Sequence, residues 1–355
     1  MEKISELRKF LGNRHEAVLI SSEENRRYFT SFPSSDGYLV VTSDDAVFFT
    51  DSRYIEAAEK RVVGCIALPV TSVSDEVNKF IKEKGILKIY TEKARLTINM
   101  GEYFKRTFFP RAVVFSDKLE KHIDRIRSVK DFDEVACIKK AQSIAEDAFN
   151  HVLGFIKPGV TEKQIALELD FYMLSHGAEA VSFETIAVTG AKSSMPHGVP
   201  DDTVVKDGDF ITLDFGAVYK GYHSDMTRTI AIGSVSDEQR KVYEIVLSAQ
   251  KAALAVLKSG LPCKDADAAS RDIIKSAGYG QYFGHSTGHG VGVEIHEGPA
   301  LSPNSKNDLC VGNVVTVEPG IYLPGKFGVR IEDMALITED GCENLTSTPK
   351  ELIIL

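Results

Sequence analysis

The sequence predicts an α/β N-terminal domain followed by a larger α+β domain built by internal duplication. Three observations carry this. At 355 residues the chain exceeds what one hydrophobic core usually serves, so two domains are expected. Through roughly the first 120 residues, short apolar runs alternate with helical patterns, the signature of an α/β layer. In the remainder, two segments about a hundred residues apart share one plan, a spacing that points to duplication and a pseudo-twofold fold and not to a solenoid. The 43% hydrophobic and 26% charged composition is that of an ordinary soluble globular protein. A net charge of -9 excludes nucleic acid as a partner, because phosphate binding needs clustered Lys and Arg.

The first twenty residues, MEKISELRKFLGNRHEAVLI, alternate charged and apolar residues as an amphipathic surface helix would. They lack the uninterrupted apolar core of a signal peptide, and no later stretch approaches the ~20 apolar residues of a membrane span. AVLI (17–20), GYLVVTS (37–43) and AVFFT (46–50) read as strands, with Asp44-Asp45 turning a hairpin between the last two. Residues 52–62 and 75–85 read as helices, and LKIYTE (87–92) as a further strand. Residues 117–133, nearly all charged, read as an interdomain connector. A long helix over 133–156 then ends at Pro158-Gly159. The boundary falls near residue 125, giving domains 1–125 and 126–355. Five scattered cysteines without a Cys-x-x-Cys pair suit reduced thiols in the cytoplasm.

The duplication shows in residues 156–177 and 257–278. Each has an apolar-Lys-x-Gly stop, a polar start, a helix of about four turns and a glycine. After the first come His197-Gly-Val-Pro, KDGDFITLDFG and YKGYHSDMTRT; after the second, His296-Glu-Gly-Pro, CVGNVVTVEPG and GKFGVRIEDMALIT. Asp214 thereby corresponds to Glu318, and Asp225 to Glu332. Asp214 and Asp225 flank Tyr219-Lys220-Gly221 at an odd spacing, which predicts a hairpin with the two acids directly opposite, Cβ atoms about 5 Å apart.

Glu318 ends an apolar strand and Glu332 lies among Val, Ile, Met and Leu. Buried carboxylates without partners protonate. Four of them on two related hairpins stay ionised together if two divalent cations lie between them, since four negative charges then meet four positive. HSTGHGVGVEIHE (285–297) adds three histidines embedded in glycines, of which one would complete the set. Oxygen-dominated ligands favour Mn2+, with Co2+, Zn2+ and Fe2+ as alternatives. Two such ions about 3.5–4 Å apart would share a water and lower its pKa toward ~7, so no Ser or Cys nucleophile is needed. Gly-x-Ser-x-Gly, the Gly-x-x-x-x-Gly-Lys phosphate loop and His-Glu-x-x-His are absent from the sequence.

LDFGAVYKGYHSDMTRT, HSTGHGVGVEIHE, TVEPGIY and VRIEDMALIT resemble the motifs of the pita-bread metallopeptidases, which include aminopeptidase P, prolidase and methionine aminopeptidase. SEENRRYFTSF (22–32) and FFTDSRYIEAA (48–58) resemble the creatinase-like N-terminal domain of the Xaa-Pro branch, which methionine aminopeptidases lack. The resemblance implies a dinuclear site on Asp214, Asp225, His289, Glu318 and Glu332. It implies substrate-binding histidines at His197 and His296, a proton shuttle at Glu318, and acid-orienting residues at Arg330 and Thr227. Phe183 and Ile295 would line the proline pocket, while His285 and His223 receive no role. It also implies proline-containing peptides as substrates and a homodimer. An Xaa-Pro aminopeptidase is expected before an Xaa-Pro dipeptidase (prolidase). A dipeptidase must grip the product-side carboxylate, usually with an arginine, and Ala300 stands where several prolidases carry one. A metal-free binding or creatinase-like role is disfavoured because all five ligand positions are kept.

Overall fold

The computed structural model describes residues 3–355; Met1 and Glu2 of the expected N-terminal helix lie outside them. The chain divides into two compact units, Met1–Arg127 and Ser128–Leu355.

The first unit runs α1 (Lys3–Arg8), β1 (Glu16–Ile20), α2 (Glu23–Thr30), β2 (Tyr38–Val41), β3 (Ala46–Thr50), α3 (Ile55–Arg61), β4 (Ile66–Pro69), α4 (Asn78–Glu83), β5 (Lys88–Thr91), α5 (Ile98–Thr107), β6 (Ala112–Phe115) and α6 (Asp117–Ser128). Its six strands form one mixed sheet in the order β4-β3-β2-β1-β5-β6. Ala17 to Ile20 are fully buried, as a continuous apolar run covered on both faces requires. Two expectations fail here. The N-terminal helix stops at Arg8, well short of the twenty residues expected for it, and the apolar run 17–20 is a central strand. Residues 117–128, expected as a connector, form α6. Its three apolar residues Leu119, Ile123 and Ile126 fall at i, i+4 and i+7, and that narrow stripe is buried together with Arg127, which donates to Asn25 Oδ1.

The second unit runs α7 (Phe132–Leu153), α8 (Glu162–Ser175), β7 (Ala180–Val181), β8 (Ile186–Thr189), β9 (Phe210–Phe215), β10 (Ala217–Tyr219), β11 (Tyr222–His223), β12 (Met226–Ala231), α9 (Asp237–Val256), α10 (Cys263–Ser276), β13 (Gly288–Gly290), β14 (Glu297–Leu301), β15 (Val314–Val317), β16 (Gly320–Leu323), β17 (Phe327–Arg330), β18 (Asp333–Ile337) and β19 (Cys342–Asn344). Each half is a helix pair followed by antiparallel strands. β12-β9-β8 form the first central sheet and β14-β13-β15-β18-β19 the second, with the hairpins β10-β11 and β16-β17 extending from them. Ile144, Phe149, Leu169 and Met173 of α7 and α8 pack on Ile211, Leu213 and Met226. Ala253 and Ala266 of α9 and α10 pack on Val315, Val317 and Ala335. Capping boxes at Asp131/Glu134, Thr161/Gln164 and Ser236/Gln239 start α7, α8 and α9. Each cap contributes roughly 1 kcal/mol by satisfying backbone N–H groups that the first turn leaves unpaired. The helices thus cover one face of the strands, and the acids lie on the other. Among the described residues no helix is long and apolar enough to cross a membrane.

Candidate metal centre

The first hairpin departs from the expected register. Lys220 (φ 48°) and Gly221 (φ 79°) are both left-handed, the geometry of a two-residue turn whose twist suits a hairpin. The turn therefore sits one residue later than expected, pairing Tyr219 with Tyr222 and, further along, Asp214 with Thr227. Asp225 comes level with Gly216, diagonal to Asp214 instead of opposite it. Both acids keep the same face. Gly216 is required there, because a Cβ on it would lie 2.0 Å from the Ser224 carbonyl oxygen.

In the second half Val317 pairs with Asp333, and the next position along brings Glu318 level with Glu332. His289 enters on β13. That strand lies so close to its neighbour that a Cβ on Gly288 would meet the Thr316 carbonyl oxygen at 1.9 Å. Asp214, Asp225, His289, Glu318 and Glu332 all line one cavity of about 610 Å³. Ligand atoms of Asp225, His289 and Glu332 lie within 4.8 Å of one another. His289 Nε2 is 3.3 Å from Glu318 and 3.5 Å from Asp225.

The electrostatics of this cluster call for a cation. Burial pushes the Asp225 and Glu332 carboxyls well above the usual carboxylate range, and their charged neighbours add to the shift. Burial likewise raises Glu318 to about 8. It lowers His289 to about 4, so the ring is neutral near pH 7. His289 Nδ1 faces the Gly290 carbonyl at 3.1 Å, which places the proton there and leaves the Nε2 lone pair facing the carboxylates. Asp214 Oδ1 is buried without a hydrogen-bond partner. Four carboxylates and one guanidinium, that of Arg330, leave a formal charge of minus three in the cluster. An orphaned oxygen, a lone pair and this surplus charge fit hard divalent ions held by carboxylates and one imidazole.

Arg330 and Thr227 hold the acids in place. Arg330 Nη2 donates to Asp214 Oδ2 at 2.5 Å and its Nε to Thr227 Oγ1 at 3.1 Å. Thr227 Oγ1 in turn donates to Glu332 Oε2 at 2.6 Å. Thr316 Oγ1 donates to Glu318 Oε1 and accepts from His289 N, a link that nothing in the local sequence flagged.

His197, His296, Phe183 and Ile295 line the same cavity, with both histidines toward solvent and the His296 ring centroid 4.4 Å from that of His289. His285, given no role from sequence, lines it too. Its Nδ1 faces the Ser286 carbonyl, so Nε2 accepts from the Tyr322 hydroxyl at 2.9 Å. Tyr322 accepts from Arg330 at 2.9 Å, and the chain His285–Tyr322–Arg330–Asp214 is continuous. The glycine-flanked histidine run was the available signal for His285. His223 bonds Ser182 Oγ at 2.9 Å, beside Phe183.

A family model described as metallopeptidase family M24 matches residues 136–339, and one described as the creatinase/prolidase N-terminal domain matches residues 3–129. The solved structure of an Xaa-Pro dipeptidase from Bacillus anthracis superposes with a TM-score of 0.96 at 44% identity, covering 100% of this chain and 99% of that one. An X-Pro aminopeptidase structure from Thermotoga maritima gives 0.92 at 37% identity, covering 98% and 99%. An Xaa-Pro dipeptidase of Pyrococcus furiosus is 39% identical over 99% of both chains.

Proposed function

This chain belongs to metallopeptidase family M24 and carries a creatinase/prolidase N-terminal domain, and from that premise we propose that it is an Xaa-Pro aminopeptidase, releasing the residue that precedes proline. Asp214, Asp225, His289, Glu318 and Glu332 would hold two divalent ions, Mn2+ before Co2+, Zn2+ or Fe2+ on the hardness of the donors. When bound, these ions lower the pKa of a water to make it a nucleophile and polarise the scissile carbonyl.

The chain's own residues supply the rest. An Xaa-Pro bond is a tertiary amide without an N–H, so the proline ring is recognised by shape against Phe183 and Ile295, both on the cavity wall. His197 and His296 reach the cavity from its solvent side and donate to the carbonyl oxygen as charge develops on it. Glu318, on the cavity wall beside His289, takes up a proton and returns it to the departing proline nitrogen. The positive α-amine of the substrate meets an acid-rich floor. Among the described residues no disulfide joins the five cysteines, which suits a reducing compartment such as the cytoplasm.

The observation that favours an aminopeptidase is the cation inventory of the cavity. Among its described lining residues the one Arg or Lys is Arg330, which is 3% exposed and bonded to Asp214, Thr227 and Tyr322. No free guanidinium waits to clamp the carboxylate of a dipeptide, and Glu184 at the wall is an exposed carboxylate that would repel it. Prolidase is the second reading, supported by the dipeptidase names of two relatives above. Hydrolysis of an Xaa-Pro dipeptide and an Xaa-Pro-Yaa tripeptide, with each metal added back in turn, separates the two. We expect kcat/KM to be higher on the tripeptide; a clear dipeptide preference would select prolidase.

A further inference from the structure

Behind the cavity, on the face of β12 opposite Thr227, lies a polar knot that the chemistry above leaves unused. Arg228 is 1% exposed, yet its guanidinium is fully engaged. Nη1 donates to the backbone carbonyls of Thr227 (2.9 Å) and Glu332 (2.5 Å). Nη2 donates to Asp333 Oδ1 (2.8 Å) and the Thr348 carbonyl (2.7 Å), and Nε to the Pro349 carbonyl (3.0 Å). Asp333, fully buried, accepts on its other oxygen from Lys350 Nζ at 2.6 Å, with Gln250 and Asn344 also donating to that oxygen.

We propose that Arg228, Asp333 and Lys350 form a positioning clamp that sets the metal affinity of the centre, with the segment around Thr348–Lys350 as its outer jaw. The inference rests on the metal-centre reading above. Two of the five Arg228 bonds go to the carbonyls of Thr227 and Glu332, the residues whose side chains are themselves bonded to each other. The Glu332 amide also donates to the Thr227 carbonyl at 3.1 Å. The clamp thus fixes the backbone from which the Glu332 carboxylate projects, while Thr227 Oγ1 fixes its rotation. A planar fork is needed for this, because a lysine offers one point charge and cannot span three chain segments at once. Stability alone gives little reason for the arrangement, since a buried ion pair is often no more stabilising than an apolar packing of the same volume. A ligand that must present its oxygens within a few tenths of an ångström is a reason, and groups that orient ligands commonly govern metal affinity by 10–100-fold.

Two variants test this. Arg228→Lys keeps a charge beside Asp333 but loses the fork, and Lys350→Met removes only the outer contact, from a side chain 17% exposed. Each metal-stripped protein is titrated with Mn2+ by calorimetry, its metal-free melting is recorded, and kcat and KM are measured on an Xaa-Pro tripeptide. We expect Mn2+ to bind about tenfold or more weakly in Arg228→Lys and by a smaller factor, above twofold, in Lys350→Met. The accompanying loss should fall on kcat and leave KM within about twofold. Lower melting temperatures with Mn2+ affinity inside twofold of wild type would assign the knot a purely structural role and overturn the proposal. Should Arg228→Lys fail to fold, Lys350→Met decides by the same criterion. Wild-type protein that takes up no divalent ion would instead remove the metal-centre reading beneath it, a result distinct from variants that match a metal-binding wild type.

Discussion

Asp225 is 5% exposed, sits 3.5 Å from a neutral imidazole and shares its cavity with four other acids, so its removal alters charge and coordination together. Asp225→Ala is expected to abolish both Mn2+ uptake and hydrolysis, read by elemental analysis and a peptide assay; wild-type turnover in that variant would rule out the site. His296 is a different case, lying toward solvent and outside the Asp225–His289–Glu332 group. His296→Ala should keep the metal and slow turnover by roughly 10²–10³, the scale of one lost donor to developing charge. Loss of metal from it would make His296 a ligand. The acids could be picked from sequence for a chemical reason, since carboxylates inside β-prone apolar runs are too costly to be there without a partner, whereas His296 rested on the motif resemblance. Tyr322 and Thr316 could not be picked, because a tyrosine and a threonine in such runs carry no comparable penalty. What links them is contact across strands far apart in the chain.

At the level of elements, continuous or strictly periodic apolar patterns were the legible ones: β1, β2, β3, β5, α7 and α8. The edge strands β4 and β6 were not read, and Ile66 at 60% exposure shows why, since an edge strand need not bury its apolar residues. α6 was taken for a linker because three apolar residues in twelve is the least a helix needs to dock. The turn of the β9–β12 ribbon was misplaced by one residue, and the pairing therefore by two, because the turn geometry, not the spacing of the acids, sets it. Lys220 supplies one of the two left-handed turn residues at some cost for a residue with a Cβ. Lys220→Asn should therefore raise stability by about 0.5 kcal/mol without changing kcat/KM, as seen by urea unfolding. Gly216→Ala should do the reverse, destabilising by about 1–3 kcal/mol and lowering metal affinity, because its methyl meets the Ser224 carbonyl between the two acids.

Over the whole molecule, all five proposed ligands and the cavity they line belong to the unit beginning at Ser128. The metal-free chain should weaken as pH rises. Glu318 has a folded value of about 8 against an ordinary 4.5, so its contribution is present below 4.5 and is lost as pH climbs through 8. Asp225 and Glu332 are shifted in the same direction. Bound metal requires the deprotonated forms, so the gap in melting temperature between metal-loaded and metal-stripped protein should widen from pH 5 to pH 8 in scanning calorimetry. A constant gap would mean that the carboxylates do not titrate as a buried set. The clamp at Arg228 also imposes an order on biosynthesis. Thr348, Pro349 and Lys350 are translated after all five proposed ligands, so Glu332 is made before the contacts that fix its backbone can form. On the clamp proposal, tight capture of the ion would follow docking of that last segment, and a chain in which it has not yet docked would hold the ion more weakly.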